Sequence, residues 1–294
     1  MSTSKSIWID DIEIVVVGGL VTRAYVAPEC YALVRDPADI AEKISRRRPG
    51  TDVVVFGQRM PEVQPKFDYP MEWEAIAVIE ISGYDKWLEQ IGKENRKNIA
   101  KAARRGVVVR EVAYDDEFVR GIMDIYDESP VRQGKKFWHY GKDFETVKRE
   151  NGTYADRSVV IGAYHEDELI GFVKMVLTEK CASTLQVISK LRHRDKKATN
   201  ALIAKAVEIC AARGIPYLQY GVWSEGTLGE FKARNGFKRH LVPMYVHALT
   251  LKGRLSIRTN THHGVQHALP PRLAQLLKTA RRRWHTPAAD DAGS

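Results

Sequence analysis

The stretch 183–237 limits what this chain can fold into more than any other. It opens with a run of strand character, 183–189, and then crosses a basic bend, 190–197. In 198–213, Ala201, Leu202, Ala204, Ala206, Val207, Ile209 and Cys210 fall largely on one face at helical spacing. Gly214 stops that helix, residues 217–223 read as a second strand, and a second helix closes on Asn235, Gly236 and Phe237. Strand, turn, helix, strand is a βαβ unit whose helix N-terminus faces a cationic turn. Free backbone N–H groups and the positive end of the helix dipole favour an anion there. Arg192, Arg194, Lys196 and Lys197 precede that helix and are expected to line a phosphate site.

The segments before it supply the rest of a sheet. Residues 107–112 are valine-rich, and 158–164 and 169–177 alternate about the turn 165–168, so an antiparallel meander leads into strand 183–189. Residues 115–126 read as a helix capped by Asp115 or Asp116, and 143–152 as another. Between them, the Gly-bounded loop 131–141 gathers Arg132, Lys136, Phe137, Trp138, His139 and Tyr140. Two readings stay open for it, a binding loop or an aromatic plug under the next helix.

Residues 1–83 read as a smaller α/β region. Runs 7–17 and 20–26 about Gly18 and Gly19 suggest a hairpin, and Asp36 with Pro37 opens a short helix. Residues 52–57 and 74–81 are further strands. Residues 84–105 are expected to form one long helix, apolar through Trp87, Leu88, Ile91, Ile99 and Ala103. Its basic remainder, Arg96, Lys97, Lys101, Arg104 and Arg105, is either a solvated face or a positive wall beside an anionic substrate. After a final strand, 242–250, the tail carries a basic amphipathic helix, 273–284, that either folds back or meets an anionic membrane or RNA. The domains expected are thus 1–83, a connecting helix 84–106, a sheet domain 107–250 and a tail 251–294.

Charge and cysteine usage narrow the class. Against 37 Asp and Glu stand 46 Lys and Arg, a net +9 that suits a polyanionic partner or simply a basic surface. Cys30, Cys181 and Cys210 are widely spaced, with no metal clamp, and His240 and His247 lack companions at ligand spacing. No metal is expected. The first residues carry no secretory pattern and the run 14–21 is too short to span a bilayer, so a cytoplasmic protein is expected.

The order of elements in 84–250 resembles the GNAT (acetyltransferase) superfamily. Phe231 and Lys232 ahead of Gly236, and the basic helix 95–106 (Asn-Arg-Lys-Asn-Ile-Ala-Lys-Ala-Ala-Arg-Arg-Gly), resemble its Fem-type, peptidoglycan-bridge-like branch. The resemblance implies a GNAT-like mixed sheet flanked by helices, with the N-terminal region a trimmed second half. It departs from the Arg/Gln-x-x-Gly-x-Gly/Ala pattern of acyl-CoA enzymes at Arg194–Thr199, where Lys197 stands in place of the first glycine.

What the resemblance implies chemically is N-acyl transfer from acyl-CoA (acetyl-CoA) or aminoacyl-tRNA to an amine by direct attack, since no Ser-His-Asp or Cys-His grouping is legible. Lys232 and Phe231 would sit at the reaction centre, with His139 and Tyr140 as nearby groups of convenient proton chemistry. Gln186, Val187 and Ile188, on the strand whose backbone holds the donor, join Arg192, Arg194, Lys196, Lys197 and Asn200 as donor-binding residues. Arg132, Lys136, Trp138, Tyr220 and Trp223 are expected to meet the acceptor. The alternative is an inactive GNAT-like module that binds RNA, protein or an anionic membrane through its basic helices.

Overall fold

The computed structural model describes residues 4–10, 12–26 and 34–262. Cys30, His263 and the amphipathic segment 273–284 lie outside the described residues. Contacts divide the chain into two compact units. The first comprises Met1–Gln58, Pro65–Glu72 and Pro243–Ser294, and the second Arg59–Gln64 and Trp73–Val242. In chain order the strands are β1 (Ser4–Ile9), β2 (Ile12–Val17), β3 (Arg23–Val26), β4 (Val53–Gly57), β5 (Met71–Glu80), β6 (Val107–Val112), β7 (Val131–Arg132), β8 (Lys135–Lys136), β9 (Ser158–His165), β10 (Glu168–Leu177), β11 (Cys181–Ser189), β12 (Tyr217–Val222) and β13 (Lys238–Ala248). The helices are α1 (Pro37–Arg47), α2 (Tyr84–Gln90), α3 (Lys93–Arg104), α4 (Asp116–Tyr126), α5 (Phe144–Asn151), α6 (Ala198–Ala212), α7 (Thr227–Arg234) and α8 (Leu251–Arg258).

In the first unit β1, β2, β3, β4 and the end of β13 pair in that order. The run 7–17, expected as one strand, is two: the chain reverses at Asp10 (φ 55), and Ile9 pairs with Ile12. An aspartate tolerates the left-handed backbone that a tight hairpin requires. Asp36 caps α1 as expected, its Oδ1 accepting from the amides of Ala38 and Asp39 at 3.0 Å. Ile14, Ala24, Ile40, Ile44, Phe56 and Tyr245 close the core of this unit.

The second unit holds a sheet in the order β5-β12-β11-β10-β9-β6. Its neighbours are antiparallel except β11 and β12, which run parallel. The meander followed by a βαβ crossover is therefore present as expected. Strand β5, which the sequence reading placed with the N-terminal region, is the neighbour of β12, with Leu218 opposite Ile79. Helix α6 covers one face, where Leu202, Ile203, Ala206 and Val207 meet Ile161, Ile170, Val173, Met175 and Leu218. Helix α4 covers the other through Phe118, Ile122, Ile125 and Tyr126 against Phe172.

The long helix expected over 84–105 is broken. Ile91 and Gly92 are extended (ψ 149 for both), separating α2 from α3. Arg96 makes the break stable. Its Nη1 donates to the carbonyls of Leu88, Glu89 and Ile91 at 3.3, 2.9 and 2.6 Å, satisfying the carbonyls at the end of α2. The break also lets Trp87 and Ile91 both reach the core.

Candidate active site

The parallel ladder between β11 and β12 is short. It runs from Cys181↔Tyr217 to Ser183↔Gln219 and ends there. Beyond it, Gln186, Val187 and Ile188 pair only with Lys174, Val173 and Phe172 of β10, so their opposite backbone edge has no strand partner among the described residues. On the other side, β12 shifts register against β5 between Gln219 and Val222, where Gly221 takes φ 54. A bulge at this point bends β12 away and re-aims its side chains. The two central strands thus part with backbone groups facing the gap.

Helix α7 delivers Lys232 to the β12 side of that gap. Lys232 is buried, 3% exposed, and is not a solvated surface lysine. Its Nζ donates to the carbonyl of Val222 at 2.7 Å and to Ser224 Oγ at 3.4 Å, and lies 4.6 Å from the centre of the Tyr220 ring. Burial lowers its pKa to about 8. Phe231 is half-buried against the α6 core, together with Tyr220 and Trp223.

The Asn-Gly-Phe signature explains how α7 is held. Gly236 (φ 88) ends the helix, and a Cβ there would meet Trp87 Nε1 at 2.9 Å. That same Nε1 donates to the Asn235 carbonyl at 3.0 Å. Asn235 Nδ2 donates to the Phe231 carbonyl at 2.7 Å and Asn200 Nδ2 to Asn235 Oδ1 at 3.3 Å. Asn200, assigned to the donor from sequence, thus ties the start of α6 to the end of α7.

The basic turn is largely neutralised from within. Glu168 accepts from Lys190, Arg192 and His193. Partial burial opposes its ionisation, but these three hydrogen bonds hold its pKa down to about 2. Arg105, at the end of α3, pairs with Asp195. Glu128 accepts from the amides of Leu191 and Arg192 at 2.5 and 2.8 Å. Arg194, Lys196 and Lys197 keep no ion pair among the described residues. Lys197 stands at the left-handed position before α6 (φ 60, ψ 29), a backbone conformation that glycine adopts without cost.

The loop 131–141 packs more tightly than its composition suggests. Arg132 donates to the carbonyls of Ser189 and Ile125, both at 2.8 Å, pairs with Glu128 at 3.2 Å and covers the Phe137 ring. His139 is 6% exposed, stacked on Tyr126 with centroids 4.4 Å apart, and its Nδ1 has no hydrogen-bond partner among the described residues. Burial, with Lys142 adding to it, lowers its pKa to about 4. Tyr126 in turn donates to Gln186 Oε1 at 2.6 Å. Trp138, Tyr140 and Lys136 are exposed, and Lys142 lies over the Trp138 ring.

Gln186, His139 and Arg132 are therefore joined on the β11 side, and Lys232, Tyr220, Phe231 and Trp223 on the β12 side. Sequence reasoning passed over Tyr126, Glu128 and Glu168. Tyr126 stood only as the last residue of the expected helix 115–126, and Glu168 as the last residue of the expected turn 165–168. Glu74 was passed over as well, as the first residue of the expected strand 74–81. Two surface hollows, one around Glu111, Tyr114 and Val160 and one around Ile79, Pro216 and Lys238, are lined by none of the expected site residues.

Protein-family models and curated proteins give no match to this chain. Solved structures do. FemX aligns over 87% of this chain and 89% of its own, with a TM-score of 0.59 at 10% identity. The C-terminal domain (DUF2156) of a lysylphosphatidylglycerol synthetase from Agrobacterium fabrum aligns over 88% of both chains, with a TM-score of 0.57 at 13% identity. L-PGS from Bacillus licheniformis aligns over 87% and 88%, with a TM-score of 0.53 at 15% identity. The chain therefore has a GNAT-like fold, a mixed sheet flanked by helices, similar to these three structures.

Proposed function

We propose that the chain is an N-acyltransferase that moves an acyl or aminoacyl group from acyl-CoA or aminoacyl-tRNA to an amine by direct attack. The observation that carries this reading is Lys232, a lysine buried at the parting of β11 and β12 with two acceptors for three N–H donors. One N–H remains for a substrate oxygen. A cation fixed in a partly dehydrated site can offset charge that develops on a carbonyl oxygen, or hand a proton to the leaving group. The likeness in fold to FemX and to a protein named for lysylphosphatidylglycerol synthesis supports an aminoacyl donor among the two.

In this reading the free backbone edge of Gln186, Val187 and Ile188 holds the donor. Arg194, Lys196 and Lys197 meet its phosphates. The loop with Trp138, His139 and Tyr140 bounds the acceptor, and Tyr220 and Trp223 flank Lys232. The internal ion pairs of the turn and the side chain at Lys197 both favour a donor whose charge is spread over a larger surface than one pyrophosphate. Calorimetric titration with CoA and with a charged tRNA tests this directly. Saturable binding of one with transfer to an added amine is expected. Binding of RNA or anionic vesicles with no transfer would favour an inactive module instead.

A further inference from the structure

Direct attack needs an amine without its extra proton, and none of the groups gathered above is placed to take it. Lys232 is itself cationic below about pH 8, and His139 is enclosed by aromatic rings. The ladder beside Lys232 holds a carboxylate that has no other task. Glu74 lies on β5, two residues before Ile76, and Ile76 faces Val222 of β12. The amide of Trp223 donates to the Ala75 carbonyl at 2.7 Å, so the pairing continues to within one residue of Glu74. Lys232 holds the carbonyl of that same Val222. Glu74 and Lys232 are thus fastened to the same end of one ladder.

Strand alternation puts Glu74 on the face of Ile76 and Val78, which pack with Met60, Cys181 and Val242. That face is opposite the one covered by α6. Glu74 is half-buried and makes no hydrogen bond or ion pair among the described residues. Burial raises its pKa above the ordinary carboxylate value. Trp73 and Val222 beside it are 48% and 53% exposed, so the position opens to solvent. A partly dehydrated carboxylate with no neighbouring cation gains from a ligand that brings one.

We infer that Glu74 is the seat for a substrate ammonium group and the acceptor of its proton. The inference rests on the acyl-transfer reading only for the fate of that proton. The ammonium, R–NH3+, passes one proton to the Glu74 carboxylate and becomes R–NH2. The nitrogen lone pair forms the bond to the acyl carbon, and the bond from that carbon to the donor's oxygen or sulfur breaks. The second nitrogen proton leaves with the donor fragment, and Glu74 returns its own to solvent. An ammonium could come from the acceptor or from the α-amino group of an aminoacyl donor; the seat recognises both by the same chemistry, but only the acceptor's ammonium gives up its proton and attacks.

Saturation-transfer NMR with the whole protein separates these possibilities, using n-butylamine as the probe and 1-butanol as its uncharged counterpart. Wild type is expected to prefer the amine. Glu74→Gln should weaken amine binding by about tenfold or more, the usual effect of removing a charged hydrogen-bond partner, and leave the alcohol unchanged. Glu74→Asp should retain part of the preference, and unfolding midpoints near wild type would establish that both variants are folded. Equal amine binding by wild type and Glu74→Gln, or no preference for amine over alcohol in wild type, overturns the inference. Competition by L-lysinamide and by its α-amino-blocked form, but not by the ε-amino-blocked or doubly blocked forms, identifies a side-chain amine as the seated group, and competition by the ε-amino-blocked form instead identifies an α-amino group. Amine binding that depends on Glu74, with no transfer from any donor, would keep the seat and remove the acyltransferase reading.

Discussion

Lys232 Nζ sits 2.7 Å from the carbonyl oxygen of Val222, the residue at which β12 regains its pairing with β5 after the bulge. The bulge and the lysine are therefore one arrangement. The bulge turns a strand carbonyl toward α7, and the lysine, buried without a carboxylate partner among the described residues, is held by it. Its lowered pKa follows from that burial.

If Lys232 acts as a cation in the transition state, Lys232→Met should lower kcat on the order of a hundredfold while KM changes little. Lys232→Arg should rescue poorly, because a planar guanidinium cannot occupy the space of an ammonium under Val222 and Ser224. Turnover of wild type should fall as pH rises through about 8, where the lysine loses its proton. The stability effect has the opposite sense. The unfolded lysine keeps its proton to about pH 10.5, so stability rises between about 8 and 10.5 and Lys232→Met should flatten that rise. Steady-state pH profiles and chemical denaturation across this range check both.

His139 gives an acid limb. Its folded pKa of about 4 lies below the ordinary 6.5, so the unfolded state binds more protons between those values. Stability is fully present above pH 6.5 and is lost as pH falls toward 4, by on the order of 3 kcal/mol. His139→Phe should remove this limb while keeping the stack on Tyr126, and urea midpoints measured from pH 7 to 4 would show a smaller decline.

Gly229 lets α7 approach the loop that carries Ser224. A Cβ at 229 would overlap the Ser224 carbonyl oxygen, a backbone atom that cannot swing aside. Gly229→Ala should therefore displace Ser224 from Lys232, cost about 1–3 kcal/mol as overpacked sites do, and lower turnover sharply. Retention of wild-type stability and rate would refute the close packing of α7 on this loop.

Lys197 holds a left-handed conformation at the entry to α6. Lys197→Gly should raise stability by up to about 1 kcal/mol, while Lys197→Ala should not. Arg194→Glu together with Lys197→Glu should weaken a phosphate-bearing donor strongly and in a salt-dependent way. Thermal denaturation reads the first pair, and donor titration at two ionic strengths reads the second.

Much of this molecule was legible as local chemistry. Apolar spacing in α6, the Asp36 and Asp115 caps, the stop at Gly214 and the left-handed end at Gly236 are decided by residues close in sequence, and each forms as its residues require. The break between α2 and α3 was hidden because helical periodicity runs through it. Only the side chain of Arg96, reaching back to three carbonyls, makes ending there favourable. The placement of β5 beside β12, the burial of Lys232 and the lone carboxylate of Glu74 belong to the tertiary structure alone. A charged residue in a sequence reads as solvated, because its cost of burial depends on neighbours that arrive from far along the chain. Residue order determined which strands and helices exist. Long-range pairing, which no local pattern encodes, decided which charges lose their water and so which side chains are available for chemistry.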